Sequence, residues 1–268
     1  MRIKVDRHGS LPLSQAKVFI WIIDTNIELS VERLTTLQSI LSFDERNQLA
    51  HFQNALARHQ YLLTRALVRT MLSRYTGIAA PELQFGSNLY GKPTLKNRDS
   101  VVSQISFNVT HTTGLIALVI TGQRKVGIDA EHPLRSIDLD VSDYYFSYSE
   151  RDAMKRLPIP LQQERFLALW TLKESYIKAR GMGLAIPLDK FGFRWNDHLQ
   201  GPEGIEFSEE FDDDPSCWQF WYWRCPTEKH HLSLCVAARP GDAPTIVVNQ
   251  TDPMFVEKEL GRYSMKAA

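Results

Sequence analysis

Leu115-Ile-Ala-Leu-Val-Ile-Thr-Gly-Gln-Arg-Lys-Val-Gly-Ile-Asp-Ala-Glu131 is the stretch on which the architecture turns. Residues 115–121 form an apolar, β-branched run of strand length, and Gly122-Gln-Arg-Lys125 is a polar turn. A second short strand, Val126–Glu131, follows at once. Working back toward the N-terminus, residues 105–109 read as a strand, Tyr90-Gly-Lys-Pro93 as a turn, and 18–24, bounded by Asp24-Thr-Asn26, as another strand. Between these, a helix begins near Leu29. From Asp44 to Tyr75 apolar residues recur at helical intervals behind Ser42-x-x-Glu45, which has capping-box spacing; this is one long helix or two short ones, ended by Gly77 and Pro81. Toward the C-terminus, Ser147-x-x-Glu150 repeats the capping-box spacing and opens a helical stretch interrupted by Pro158 and Pro160. A strong helix over 162–180 stops at Gly181, and strands follow at 191–195, 218–224 and 232–238. Each half therefore offers a strand, a helix and further strands, and Leu115–Ile120 is echoed faintly by Leu232-Ser-Leu-Cys-Val236. The reading is α/β (α+β): two similar lobes related by pseudo-twofold symmetry, each a small, mainly antiparallel sheet packed with helices. The lobes span 1–125 and 126–240, and 241–268 is a C-terminal tail lying on the surface or partly disordered.

At 268 residues, 43% of them hydrophobic and 23% charged, the chain has the material for an ordinary globular core. Lys plus Arg and Asp plus Glu stand at 31 each, which removes the net attraction to polyanions expected of a nucleic-acid binder. No apolar run is long enough to span a bilayer, and nothing at the N-terminus resembles a secretory leader, so a monomeric cytoplasmic protein is expected. Cys217, Cys225 and Cys235 lack metal-site spacing and are odd in number, so they read as buried free thiols.

Asp129 and Glu131 are poor strand formers within an apolar strand, and their i, i+2 spacing turns both carboxylates to one face. Two such charges repel unless a cation lies between them, and an oxygen-only donor set suits Mg²⁺ better than zinc. The ordinary alternative is a solvent-facing strand edge. Trp170, Glu174 and Lys178 form one helical stripe with Lys173 at its border, either part of a half-buried polar site or a surface Glu–Lys pair. Phe107-Asn-Val-Thr110-His111-Thr112 ends a strand in hydroxyls and an imidazole, groups suited to a phosphate oxygen, although a lone His after a strand is often structural. Gly91-Lys92-Pro93 places a cation on a rigid turn.

Taken together, Gly127-Ile-Asp129-Ala-Glu131, Trp170-x-x-Lys173-Glu174-Ser175-x-x-Lys178, Gly91-Lys-Pro93 and Asn108-Val-Thr-His111 resemble the surfactin-synthetase-activating class of 4'-phosphopantetheinyl transferases. The likeness runs from about Ser42 to Trp195 and includes Gly181-Met-Gly183-Leu and Pro187-Leu-Asp-Lys-Phe191. It implies transfer of the phosphopantetheine arm of coenzyme A to a serine of an apo carrier protein, acyl, polyketide or peptidyl, with release of 3',5'-ADP. It further implies that Asp129, Glu131 and Glu174 hold Mg²⁺, and that Lys178 and His111 contact the phosphates. Lys92, with Tyr90, Gly91 and Pro93, would support the nucleotide end. Thr110 and Thr112 flank the phosphate contact, and Arg46, Arg65 and Arg69 are the candidates for the 3'-phosphate. Glu174 is the implied general base. Two departures stand out: Thr110 replaces the usual serine before the histidine, and Gln48 occupies a position often basic in relatives.

Two other readings compete. A degenerate relative would bind coenzyme A as an interaction module without transferring, and a Mg²⁺-dependent nucleotidyl transferase or pyrophosphohydrolase would share the metal logic. The latter usually needs a glycine-rich loop or a denser acid cluster, and neither is visible. Arg151, Lys155 and Arg156 form either a docking patch for an acidic carrier or a solvated helix face.

Overall fold

The computed structural model describes residues 13–99, 101–225, 229–239 and 241–252, with the backbone of 257–258. In chain order the elements are β1 (Lys17–Asp24), α1 (Val31–Ile40), α2 (Phe43–Ala50), α3 (Ala55–Thr76), β2 (Phe85–Ser87), β3 (Pro93–Leu95), β4 (Ile105–Thr112), β5 (Leu115–Gly122) and β6 (Val126–Glu131). After these come α4 (Ser142–Tyr145), α5 (Tyr148–Lys155), α6 (Ile159–Arg180), β7 (Phe191–Asn196), β8 (Gly201–Phe207), β9 (Trp218–Arg224), β10 (His231–Ala237), β11 (Thr245–Thr251) and β12 (Glu257–Lys258).

Alternation along β1 and β5 generates the layers. Val18, Ile20 and Ile22, with Leu115, Ala117 and Val119, project to one side; Trp21 and Ile23, with Ile116, Leu118 and Ile120, project to the other. The second set meets α1, α2 and α3. The first set meets Val126, Ile128 and Ala130 of β6 and Leu232, Leu234 and Val236 of β10. A third cluster joins α6 to the far face of β9 and β10 through Phe166, Leu172, Tyr176, Phe220 and Cys235. The molecule is thus four layers deep: helices, the sheet β12-β11-β1-β5-β4, the sheet β6-β10-β9, and α6. Two-stranded ribbons, β2-β3 and β7-β8, complete it. The expected mixed α/β class with small, mainly antiparallel sheets holds, and the two sheets share one apolar core.

The stretch from Asp44 to Tyr75 is two helices. Ser42 and Glu45 form a complete capping box on α2, and the side chain of Asn54 accepts the Ala57 N–H at 3.0 Å to start α3 afresh. Gly77, at φ +74°, ends α3 in the left-handed conformation. Pro160 does not interrupt a helix, as the sequence suggested; it lies in the first turn of α6, where the missing N–H costs no intrahelical bond. The expected surface tail is also corrected. Residues 245–250 pair in parallel with β1, and Ile246 and Val248 enter the core between the sheets.

Candidate active site

The seam between the sheets brings the chemistry-bearing residues together. β4 is an edge of the first sheet and β6 an edge of the second, and the Asn108 side-chain oxygen accepts the Ile128 N–H at 2.9 Å across the gap. On β6, the face opposite the core carries Gly127, Asp129 and Glu131 toward α6. Gly127 is required there, because a Cβ would lie 2.1 Å from the Ser175 carbonyl oxygen and 2.4 Å from the Ala179 nitrogen. The small residues Thr171, Ser175 and Ala179, at helical i, i+4 spacing, form the α6 face that approaches β6 and β10; Thr171 Oγ1 lies 2.7 Å from Ser233 Oγ. The neighbouring stripe, Trp170, Glu174 and Lys178, is half-buried.

Three elements meet at Asp129. Lys178 of α6 donates to Asp129 Oδ1 at 2.5 Å, and Thr110 of β4 donates to the same oxygen at 3.1 Å. Asp129 Oδ2 is buried without a hydrogen-bond partner. A carboxylate oxygen in that position is costly unless a cation or donor meets it. Burial and the Asp129 charge raise the Glu174 carboxyl above its ordinary range, and the same two causes push Glu131 up to about 7. Glu131 is meanwhile paired with Arg135. His111 stands at the rim, where partial desolvation and the Lys178 ammonium lower its imidazole below the usual value.

Among the described residues, no three His, Cys, Asp or Glu side chains are clustered as a metal-binding group. The donor set nevertheless fits a hard divalent ion in kind: two carboxyls raised by burial and by the Asp129 charge, beside a carboxylate with a buried oxygen lacking a partner.

Other expected contacts are placed elsewhere. Arg65 and Arg69 both pair with Glu45, the same carboxylate that completes the α2 capping box. Arg69 is buried and also donates to the carbonyls of Ala80 and Leu83 at 2.6 and 3.0 Å, so its expected grip on a 3'-phosphate is replaced by a structural role. Arg46 donates to the Leu41 carbonyl at 2.5 Å. The Lys92 ammonium donates to the carbonyls of Val126 and Ala179 at 3.0 and 3.3 Å, and burial lowers it to about 8. Lys173 is fully buried, in an ion pair with Glu150 at 2.8 Å and hydrogen bonds to the Leu188 and Phe191 carbonyls at 2.8 and 2.5 Å. Arg151 and Lys155 pair with Asp143, and Arg156 with Asp152.

Sequence reasoning missed Arg135, which lies beyond Pro133 with no periodic element linking it to Glu131. It also missed Glu150 as the partner of Lys173. The capping-box spacing flagged Glu150, but only the fold points its second oxygen, which accepts the Phe193 N–H at 2.9 Å, into the core.

Sequence comparison supplies the family. A family model described as the 4'-phosphopantetheinyl transferase superfamily matches residues 125–235, and one described as 4'-phosphopantetheinyl transferase, N-terminal, matches 28–123. The 4'-phosphopantetheinyl transferase Sfp of Bacillus subtilis is 30% identical over 209 residues, covering 78% of this chain and 88% of that protein. The chain belongs to the 4'-phosphopantetheinyl transferase family. Another transferase of that name, HetI of a Nostoc species, is 29% identical over 66% of this chain and 73% of its own length. A solved holo-(acyl-carrier-protein) synthase from Bacillus anthracis, in complex with coenzyme A, matches 42% of the chain and 93% of its own, at 19% identity and a TM-score of 0.30, too slight to bear on the fold. In a 4'-phosphopantetheinyl transferase the reacting groups are a diphosphate and a serine hydroxyl. In this chain the seam is lined by carboxylates, a lysine, a hydroxyl and an imidazole.

Proposed function

We propose that this chain attaches the 4'-phosphopantetheine arm of coenzyme A to a serine of an apo carrier protein, with 3',5'-ADP as the other product, and that the chemistry takes place at the β4–β6–α6 seam. The observation that carries the reading is the buried, unpartnered Asp129 Oδ2, in a cluster where burial and the Asp129 charge raise the Glu131 and Glu174 carboxyls.

Asp129, Glu131 and Glu174 are the groups that would hold Mg²⁺, which when bound neutralises diphosphate charge as the P–O bond is exchanged. Phosphoryl transfer depends mainly on positioning and charge stabilisation. Lys178, held by Asp129 and Thr110, directs an ammonium at the phosphates. His111, its imidazole pKa lowered by desolvation and the Lys178 ammonium, donates a hydrogen bond at the rim. Thr110 and Thr112 frame that end of β4, and the Tyr90-Gly91-Lys92-Pro93 turn flanks the nucleotide side. A raised carboxyl pKa suits Glu174 to take the proton of the attacking serine. The serine oxygen forms the new bond to the pantetheine-bearing β-phosphorus as the 3',5'-ADP oxygen leaves. The reading includes a monomer in the cytoplasm, with neither nucleic acid nor membrane as partner; none of the described helices is long and apolar enough to cross a bilayer.

The test is mass spectrometry of several apo carriers incubated with coenzyme A, in Mg²⁺ or in EDTA. A carrier that gains the arm only with metal supports both reaction and cofactor. Failure of every carrier in Mg²⁺ overturns the transferase reading.

A further inference from the structure

Asn88 and Lys92, the two ends of the β2–β3 turn, lie against the C-terminus of α6. The last carbonyls of any helix lack intrahelical partners. Here two of them are met from the other half of the chain. Asn88 Nδ2 donates to the Gly181 carbonyl at 2.6 Å, and the Lys92 ammonium donates to that of Ala179 at 3.3 Å. The same ammonium reaches the Val126 carbonyl at 3.0 Å, at the start of the strand that carries Asp129 and Glu131. A cation at a helix C-terminus is also favoured by the helix dipole.

The turn is shaped for this contact. Asn88 Oδ1 accepts the N–H groups of Tyr90 and Lys92, each at 2.9 Å, and Gly91 supplies φ +87°. Gly181, at φ +70°, leaves room for the lysine stem: a Cβ there would stand 2.9 Å from Lys92 Cδ and 3.1 Å from Asn88 Nδ2. The Gly-Lys-Pro turn and the glycine after the long helix are therefore two halves of one joint.

We propose that Lys92 is a positioning residue, a cationic staple fixing the spacing between β6 and α6, rather than a phosphate contact. Its side chain has already bonded two protein carbonyls. The carboxylates of β6 and the Glu174–Lys178 stripe of α6 come from separate elements, and the staple ties the start of one to the end of the other. This assignment rests on the transferase reading for its effect on turnover, but the joint itself is independent of that reading.

The experiment compares Lys92→Met, Lys92→Arg and Asn88→Ala in the full chain. Hydrogen exchange reads the joint without any reaction. Lys92→Met should speed exchange across 126–131 and 177–181 by tenfold or more, and unchanged exchange there would overturn the proposal. In transfer assays Lys92→Met should lower kcat about tenfold while KM for coenzyme A and Kd for 3',5'-ADP stay within twofold. Lys92→Arg should recover most of the loss. Asn88→Ala, the milder variant, should lower kcat about threefold, and the double variant Asn88→Ala/Lys92→Met should be little worse than Lys92→Met alone. The opposite split, a raised KM and Kd with kcat unchanged, would make Lys92 a nucleotide ligand and overturn the staple. A wild-type protein that transfers nothing would count against the transferase reading, with the exchange result still deciding the joint.

Discussion

Asp129 concentrates the functional demand on one side chain. One oxygen is shared between Lys178 and Thr110, and the other is buried with no protein donor. Asp129→Asn preserves shape while removing charge, so transfer should fall by about 10²–10³-fold with little change in thermal midpoint, measured by steady-state assay and calorimetry. Glu131 makes a pH prediction. Its carboxyl is held at about 7 by burial and by Asp129, against 4.5 as the ordinary value. Protonation is easier folded than unfolded, so Glu131 favours the folded state below pH 4.5 and loses that contribution as pH rises through about 7. In EDTA, Glu131→Gln should gain stability relative to wild type between pH 5 and pH 8, by up to about 3 kcal/mol in urea titrations. A constant difference across that range would remove the buried-acid assignment.

Packing between β6 and α6 has almost no slack, because the approach is between backbones. Gly127→Ala places a methyl against the Ser175 carbonyl and the Ala179 nitrogen, and should destabilise by about 3 kcal/mol or more, read by denaturant unfolding. On the other side of α6, Glu150 joins the α5 cap, the Phe193 N–H and Lys173. Desolvation presses the Lys173 pKa downward, and the Glu150 partner opposes that. Removing one member strands the other charge, so Glu150→Gln should cost about 3–5 kcal/mol, whereas an apolar replacement of both residues should cost much less. A double-variant loss equal to the sum of the two single-variant losses would show that the pair is not coupled.

Across the whole molecule, the C-terminal strand closes the first sheet. β11 runs parallel to β1, and Ile246 and Val248 fill the space between the sheets. Ending the chain after residue 242 would remove both side chains, uncovering the apolar residues they pack against and the hydrogen-bonding edge of β1. Burying each aliphatic side chain contributes about 1.5–3 kcal/mol, so the shortened protein should unfold at lower denaturant and bind a hydrophobic dye. Wild-type behaviour on both counts would restore the reading of that segment as a dispensable tail.

The strands from β4 through β6, the two capping boxes and the acid pair at i, i+2 were legible because each is written in local spacing. So were the Trp170–Glu174–Lys178 stripe and the family resemblance, since motif order survives in one dimension. The tertiary structure decided what has no local signature. It assigned Arg69 to Glu45, Lys173 to Glu150 and Lys92 to the end of α6, and it placed 245–251 beside a strand more than two hundred residues earlier. A cation reads the same in sequence whether it faces a ligand or a buried carboxylate. Which partner it meets depends on the packing of distant elements, and only the folded chain sets that.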